Sequence, residues 1–197
     1  HRAMERHPAF GGALRALVES AEVVGGHQVR NVGTLGGNLC NASPAADSVP
    51  ALVANRARVL IAGPGGERSV AVEAFPVGPG RTVLEAGEFV RAIELPRPAP
   101  RTADAYLRFI PRTEMDIAVV SAGVSLSLDS KGVVTEARVS LGAVAPTVLL
   151  VASAAKAIVG SKLDDAALEK LGEAASAACR PIDDKRGTKE YRIKVAG

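Results

Sequence analysis

Between Asn31 and Pro50 the chain reads NVGTLGGNLCNASPAADSVP, with Gly36 and Gly37 set between Thr34-Leu35 and Asn38. Glycine lets backbone N–H groups approach a ligand closely and tolerates positive φ. Successive N–H groups curling round a point bind anions. Thr34, Asn38, Asn41 and Ser43 add neutral hydrogen-bonding groups, and Asp47 adds a carboxylate. Such a set suits a phosphate or a polyol chain. It is neither a P-loop nor a dinucleotide fingerprint, since GxxxxGK[ST] and GxGxxG are both absent. Spacing alone leaves open a plain glycine turn between a helix and a strand. The segment Asn31–Asp47 is expected to be a compact loop, with Asp47 or Ser48 capping the helix that follows.

Other chemistries find little support. Ser43 has no evident His and Asp partners for a triad. His7 and His27 stand alone, and no general acid or base is assigned. Cys40 and Cys179 are too few for a disulfide framework, and no CxxC or Cys/His cluster marks a zinc or iron–sulfur site. Reduced thiols and a cytoplasmic location are expected, with Cys40 read as a small hydrophobe. Net charge is only +3, with acids spread among the bases, which argues against a nucleic-acid partner. No apolar run reaches the length of a membrane span. The polar start HRAMERHPAF is no signal peptide, and its first residue suggests a processed or truncated product.

The elements that must position these residues are legible in outline. At 197 residues and 47% apolar, the chain can bury a real core; with 3% aromatics and no Trp, Ala, Val and Leu must fill it. Pro8 opens a candidate helix, with Phe10, Leu14, Leu17, Val18 and Ala21 at helical spacing and Gly25-Gly26 as its end. ARVLIAGPGGERSVAV reads as a hairpin, and two short strands follow in GRTVLEAGEFVRAIELP. The proline-rich stretch 96–102 is the best boundary. Beyond it, AYLRFI, IAVVSAGVSLSLD and VVTEARVSLGAV read as strands, the last two joined by a turn at Asp129–Gly132. Helices are expected over 148–159, over 165–178 with Asp164 or Asp165 as cap, and after Thr188. The fold class is therefore α+β, with an antiparallel sheet followed by helices.

QVRNVGTLGGNLCNASPAAD closely resembles the second flavin-binding motif of the molybdenum hydroxylase flavoproteins. These are the medium subunits of carbon monoxide dehydrogenases and the FAD domains of xanthine dehydrogenases. The motif residues are Gln28, Val29, Arg30, Asn31, Gly33, Thr34, Leu35, Gly36, Gly37, Asn38, Ser43, Pro44 and Asp47. FPVGPGRTVLEAGEFVRAIELP is similar to the end of the family's FAD domain. YLRFIPRTEMDIAVVSAGVSL is similar to the start of its C-terminal domain, with Arg112, Asp116, Ile117 and Ala118 in the family positions. LGAVAPTVLLV and DDKRGTKEYRIKV match later marks. The resemblance implies residues 1–97 as part of a PCMH-type FAD-binding domain and residues 103–197 as a C-terminal α+β domain. It implies that Thr34, Leu35, Gly36, Gly37 and Asn38 hold the pyrophosphate–ribityl region of FAD, and that Asn41, Ser43 and Asp47 bond ribityl hydroxyls or neighbouring groups. Val90 falls beside the flavin region, and Arg108 falls where some members have a Lys near the ring.

The family's first glycine-rich loop, of the A-G-G-[HT]-[ST] kind, does not occur in this sequence. The chain is thus expected to supply one part of the FAD cradle, and residues 103–197 to stand by themselves better than residues 1–95. The implied function is electron relay from [2Fe–2S] centres through FAD to a terminal acceptor. The molybdenum cofactor and the [2Fe–2S] centres would lie on partner subunits, a molybdopterin subunit and an iron–sulfur subunit. Two other readings are a non-flavin scaffold that retains the fold, and an enzyme using the glycine segment for another phosphate ligand.

Overall fold

The structure, a computed structural model, describes residues 1–12, 14–112 and 115–197. Its first half runs α1 (Arg2–Glu5), α2 (Arg15–Glu22), α3 (His27–Val32), α4 (Leu35–Cys40), α5 (Ser48–Ala54), β1 (Arg58–Gly63), β2 (Gly66–Ala71), β3 (Pro76–Gly78), β4 (Arg81–Thr82) and β5 (Phe89–Glu94). The second half runs β6 (Thr102–Phe109), β7 (Val120–Leu128), β8 (Val134–Gly142), β9 (Leu149–Leu150), α6 (Ala152–Ile158), α7 (Asp165–Ala178) and α8 (Lys189–Ala196). The α+β class is as expected. Strand neighbours are antiparallel, in the orders β2-β1-β5, β3-β4 and β6-β7-β8-β9.

Two helices start later than their spacing suggests. Pro8 opens only a single 3-10 turn, Pro8–Phe10, and α2 starts at Arg15. Gly11 and Gly12 lie between them, with Gly12 at φ 75°, and each glycine costs a helix about 1 kcal/mol. Leu149 and Leu150 first pair with β8, so the next helix begins at Ala152. The turn at Asp129 holds as expected: its Oδ1 accepts from the N–H groups of Lys131 and Val133, and Gly132 takes φ 78°. Asp164 and Thr188 cap α7 and α8 through side chains that accept from Ala167 and Tyr191.

The four-stranded sheet is covered on both faces at β7 and β8, while on the edge strand β6 Leu107 stays 76% exposed. Strand alternation puts Val120, Ala122 and Val124 on one face, with Val139 and Leu141 of β8 beside them. These join the core built with Val151 just before α6, Ala154 of α6 and Ala175 of α7. The other face carries Tyr106, Gly123 and Ser140 in one row, and Arg108, Ser121 and Gly142 in the next. Its residues on β7 and β8 are small and leave room for a close neighbour. In the fold α5 lies on them, buried along its whole length. Ser140 Oγ donates to the Pro50 carbonyl at 2.6 Å. A Cβ on Gly123 would sit 2.5 Å from that same oxygen.

The two halves therefore share a core. Leu17, Leu39, Leu52, Val59, Ile61, Val72 and Phe75 pack with Tyr106 and Val148 from the second half. Asp104 of β6 adds a polar tie: its Oδ1 accepts from Ala16 N at 3.1 Å, and its Oδ2 from Asn55 Nδ2 at 2.6 Å. Burial pushes the Asp104 carboxyl up, and those bonds oppose the rise. Residues 103–197 by themselves would leave this polar face bare, which counts against the expectation that they stand alone. Gly123→Ala should destabilise the whole chain by about 1–3 kcal/mol, because backbone rather than a flexible side chain opposes the new methyl. A lowered urea midpoint with an unchanged slope is the expected result.

Candidate functional site

The segment Asn31–Asp47, expected to be a compact loop, is irregular over 41–46, and residues 27–40 before that are largely helical. These form two short helices, α3 and α4, interrupted at Gly33 and Thr34. Thr34 is extended, at φ −116° and ψ 155°, and its Oγ1 accepts from Gly37 N at 2.9 Å. That is an N-cap, and Thr-x-x-Gly could have been read as one. Gly36 and Gly37 have no positive φ, so what matters in them is the missing Cβ. On Gly37 a Cβ would lie 3.0 Å from Thr34 Oγ1 and crowd the cap. On Gly36 it would meet only Val90 Cγ1, at an ordinary 4.0 Å. The fold thus has a use for glycine at 37 and none at 36, where glycine weakens the helix by roughly 0.5–1 kcal/mol relative to alanine. Among the described residues, the N–H groups of Leu35 and Gly36 have no acceptor, as first-turn donors of a capped helix commonly do not.

Asn38 faces inward. Its Oδ1 accepts from Ser48 Oγ at 2.6 Å and ties α4 to the start of α5. Asn41 is exposed at the end of α4. Ser43 Oγ accepts from Ala45 N at 3.3 Å, within its own turn. Ser43 also lines a cavity of about 280 Å³ with Pro44, Ile117, Ile182 and Arg186.

Asp47 occupies the N-cap position of α5 but makes no side-chain cap bond, and its φ of −57° and ψ of −39° are helical. Its carboxylate turns to β6 instead. Oδ1 accepts from the Tyr106 hydroxyl at 2.7 Å, and Oδ2 from Arg108 Nη1 at 3.1 Å. A buried carboxylate gains more from two such partners than from one exposed cap bond. Burial pushes the Asp47 carboxyl up, while Tyr106 and Arg108 hold it down. Burial and the charge of Asp47 push the Tyr106 phenol up, so it stays a neutral donor. Arg108 Nη1 also reaches the Asp116 carbonyl at 3.4 Å. With Gly25, Gly26, His27, Arg30 and Met115, Arg108 lines a cavity of about 230 Å³. Arg186 beside Asp116 holds that carboxyl below the usual range.

The fold thus brings Val90 to Gly36 and Arg108 to Asp47, and links the two groups through Asn38 and Ser48. It leaves Asn41 and Ser43 apart. Tyr106 escaped the sequence reading, although period-2 alternation already places it on the same strand face as Arg108.

Residues 1–98 match the family model for the FAD binding domain in molybdopterin dehydrogenase, and residues 105–197 that for the CO dehydrogenase flavoprotein C-terminal domain. The carbon monoxide dehydrogenase medium chain of Afipia carboxidovorans is 36% identical over 184 residues, covering 93% of this chain and 63% of that protein. The xanthine dehydrogenase FAD-binding subunit of Escherichia coli O157:H7 is 32% identical over 183 residues, covering 92% of this chain and 62% of that protein. Among solved structures, reconstituted CO dehydrogenase from Oligotropha carboxidovorans is similar with a TM-score of 0.94 at 33% identity, over 99% of this chain and 68% of that chain. The chain belongs to the FAD-binding, or medium, subunits of the molybdenum hydroxylase family, of the carbon monoxide dehydrogenase and xanthine dehydrogenase type. It spans less than two thirds of the length of the two curated relatives just described.

The capping geometry is directly testable. Thr34→Ala should cost about 1 kcal/mol of stability and speed amide exchange at Gly37, and Thr34→Ser should restore both.

Proposed function

We propose that this chain holds FAD in an electron-transfer subunit of a molybdenum-containing dehydrogenase. Thr34, Leu35, Gly36, Gly37 and Asn38 take the pyrophosphate–ribityl side, Asp47 bonds ribityl hydroxyls or neighbouring groups, Val90 lies beside the flavin, and Arg108 serves the ring side. Asn41 and Ser43 belong to the same reading, with contacts nearer the surface. Bound FAD supplies the redox chemistry, receiving electrons from [2Fe–2S] centres and passing them to a terminal acceptor. The chain's own residues supply position and electrostatics. The α4 turn offers open N–H donors to an anionic group, and the Asp47–Arg108 pair fixes a cation at the wall of a cavity. An iron–sulfur subunit and a molybdopterin subunit are the partners. Residues 1–97 act as the partial FAD-binding domain and residues 103–197 as the C-terminal domain. A cytoplasmic location goes with this reading; no helix among the described residues is long and apolar enough to cross a membrane.

The observation that carries the reading is Gly36. Among the described residues nothing in the packing requires a glycine there, whereas a ligand approaching the backbone does. Gly36→Ala should therefore stabilise the flavin-free chain by about 0.5–1 kcal/mol in urea titrations. The same change should lower the FAD-to-protein ratio of the protein expressed with its partner subunits. Unchanged flavin content would remove Gly36 from the site. A colourless wild-type protein that still co-purifies with those subunits would support the scaffold reading instead.

A further inference from the structure

We propose that Tyr106 is a positioning residue: its hydroxyl fixes the Asp47 carboxylate, and Asp47 in turn fixes Arg108 at the cavity wall. The inference rests on the reading above for the role of that cavity, but its geometry stands without it. Tyr106 is 5% exposed and Asp47 9% exposed, so water competes little for either group. The carboxylate divides its oxygens, one to Tyr106 at 2.7 Å and one to Arg108 at 3.1 Å. Among the described residues, Tyr106 is the only partner of Asp47 Oδ1. Without that hydroxyl the carboxylate is free to rotate, and a rotated carboxylate no longer holds Nη1.

The phenol is itself firmly placed. Its backbone N–H donates to Glu19 Oε2 on α2 at 2.9 Å. Two residues earlier on the same strand face, Asp104 binds Ala16 and Asn55. The strand that carries Tyr106 and Arg108 is thereby pinned to both α2 and α5. A ring that served only to fill the core would need no hydroxyl, since phenylalanine has the same body. The hydroxyl is therefore the atom to test.

In the flavin-free chain, Tyr106→Phe should raise the rate at which phenylglyoxal modifies Arg108 several-fold, read by peptide mass spectrometry, with circular dichroism unchanged. Should that variant not fold, Asp47→Asn reads the same link and must also expose Arg108 to the reagent. An unchanged rate in the folded variant overturns the positioning role. In the FAD-loaded protein with its partner subunits, Tyr106→Phe should shift the flavin midpoint potential to more negative values. Arg108→Met should shift it in the same direction, and the double variant no further than Arg108→Met alone. A faster modification with an unmoved potential overturns the connection to flavin. A wild-type protein that takes up no FAD defeats the functional reading and leaves the phenylglyoxal result standing.

Discussion

The backbone of α5 at Pro50 rests directly on Gly123 of the sheet, and the site depends on that contact. Gly123 leaves the space, since a Cβ there would meet the Pro50 carbonyl; a Cβ on Gly142 would meet first Ser121 Oγ and then the Pro50 ring. Ser140 then bonds the same carbonyl. Pro50 lies in the first turn of α5, where its missing N–H leaves no intrahelical bond broken. This contact sets how far the start of α5 stands from β6. Asp47 at that start meets Tyr106 and Arg108, and Ser48 next to it holds Asn38. The glycine-bearing α4 and the cation on β6 are thus placed by one helix.

The buried Asp47–Arg108 pair is weak evidence for stability. Desolvating two charges costs several kcal/mol, and their attraction offsets this only with good geometry and further hydrogen bonds. Here the further bonds come from Tyr106 to Asp47 and from Arg108 to the Asp116 carbonyl. What such an arrangement secures is orientation. A guanidinium held at one edge keeps its plane fixed, whereas a lysine ammonium on the same strand would remain a mobile point charge.

Much of this was legible in sequence, and the failures share a cause. The β1–β2 hairpin, the Asp129 turn and the caps at Asp164 and Thr188 depend on residues close in the chain, and each was read correctly. The close fit of α5 on Gly123 joins residues far apart in the chain and has no local signature. The loop expected over Asn31–Asp47 contains α4, which is too short for periodicity, and a glycine pair normally argues against helix. The Asp47–Tyr106 bond joins residues 59 apart, beyond any local pattern. The family resemblance implies flavin-side roles for Asp47 and for Arg108 and is silent on what connects them.

The two glycines show how local chemistry and function can be separated within one motif. Gly37 has a use inside the chain, since a Cβ there would press on the oxygen that caps its own N–H. Gly36 has none, since its side of the helix is open as far as Val90. A glycine that weakens a helix without relieving any contact is a local rule broken with no gain visible in the fold, and such breaks are expected where a ligand is bound. The open edge of α4 faces Val90 on β5, whereas the fixed cation sits on β6. A molecule engaging both would have to reach from the first sheet to the edge of the second.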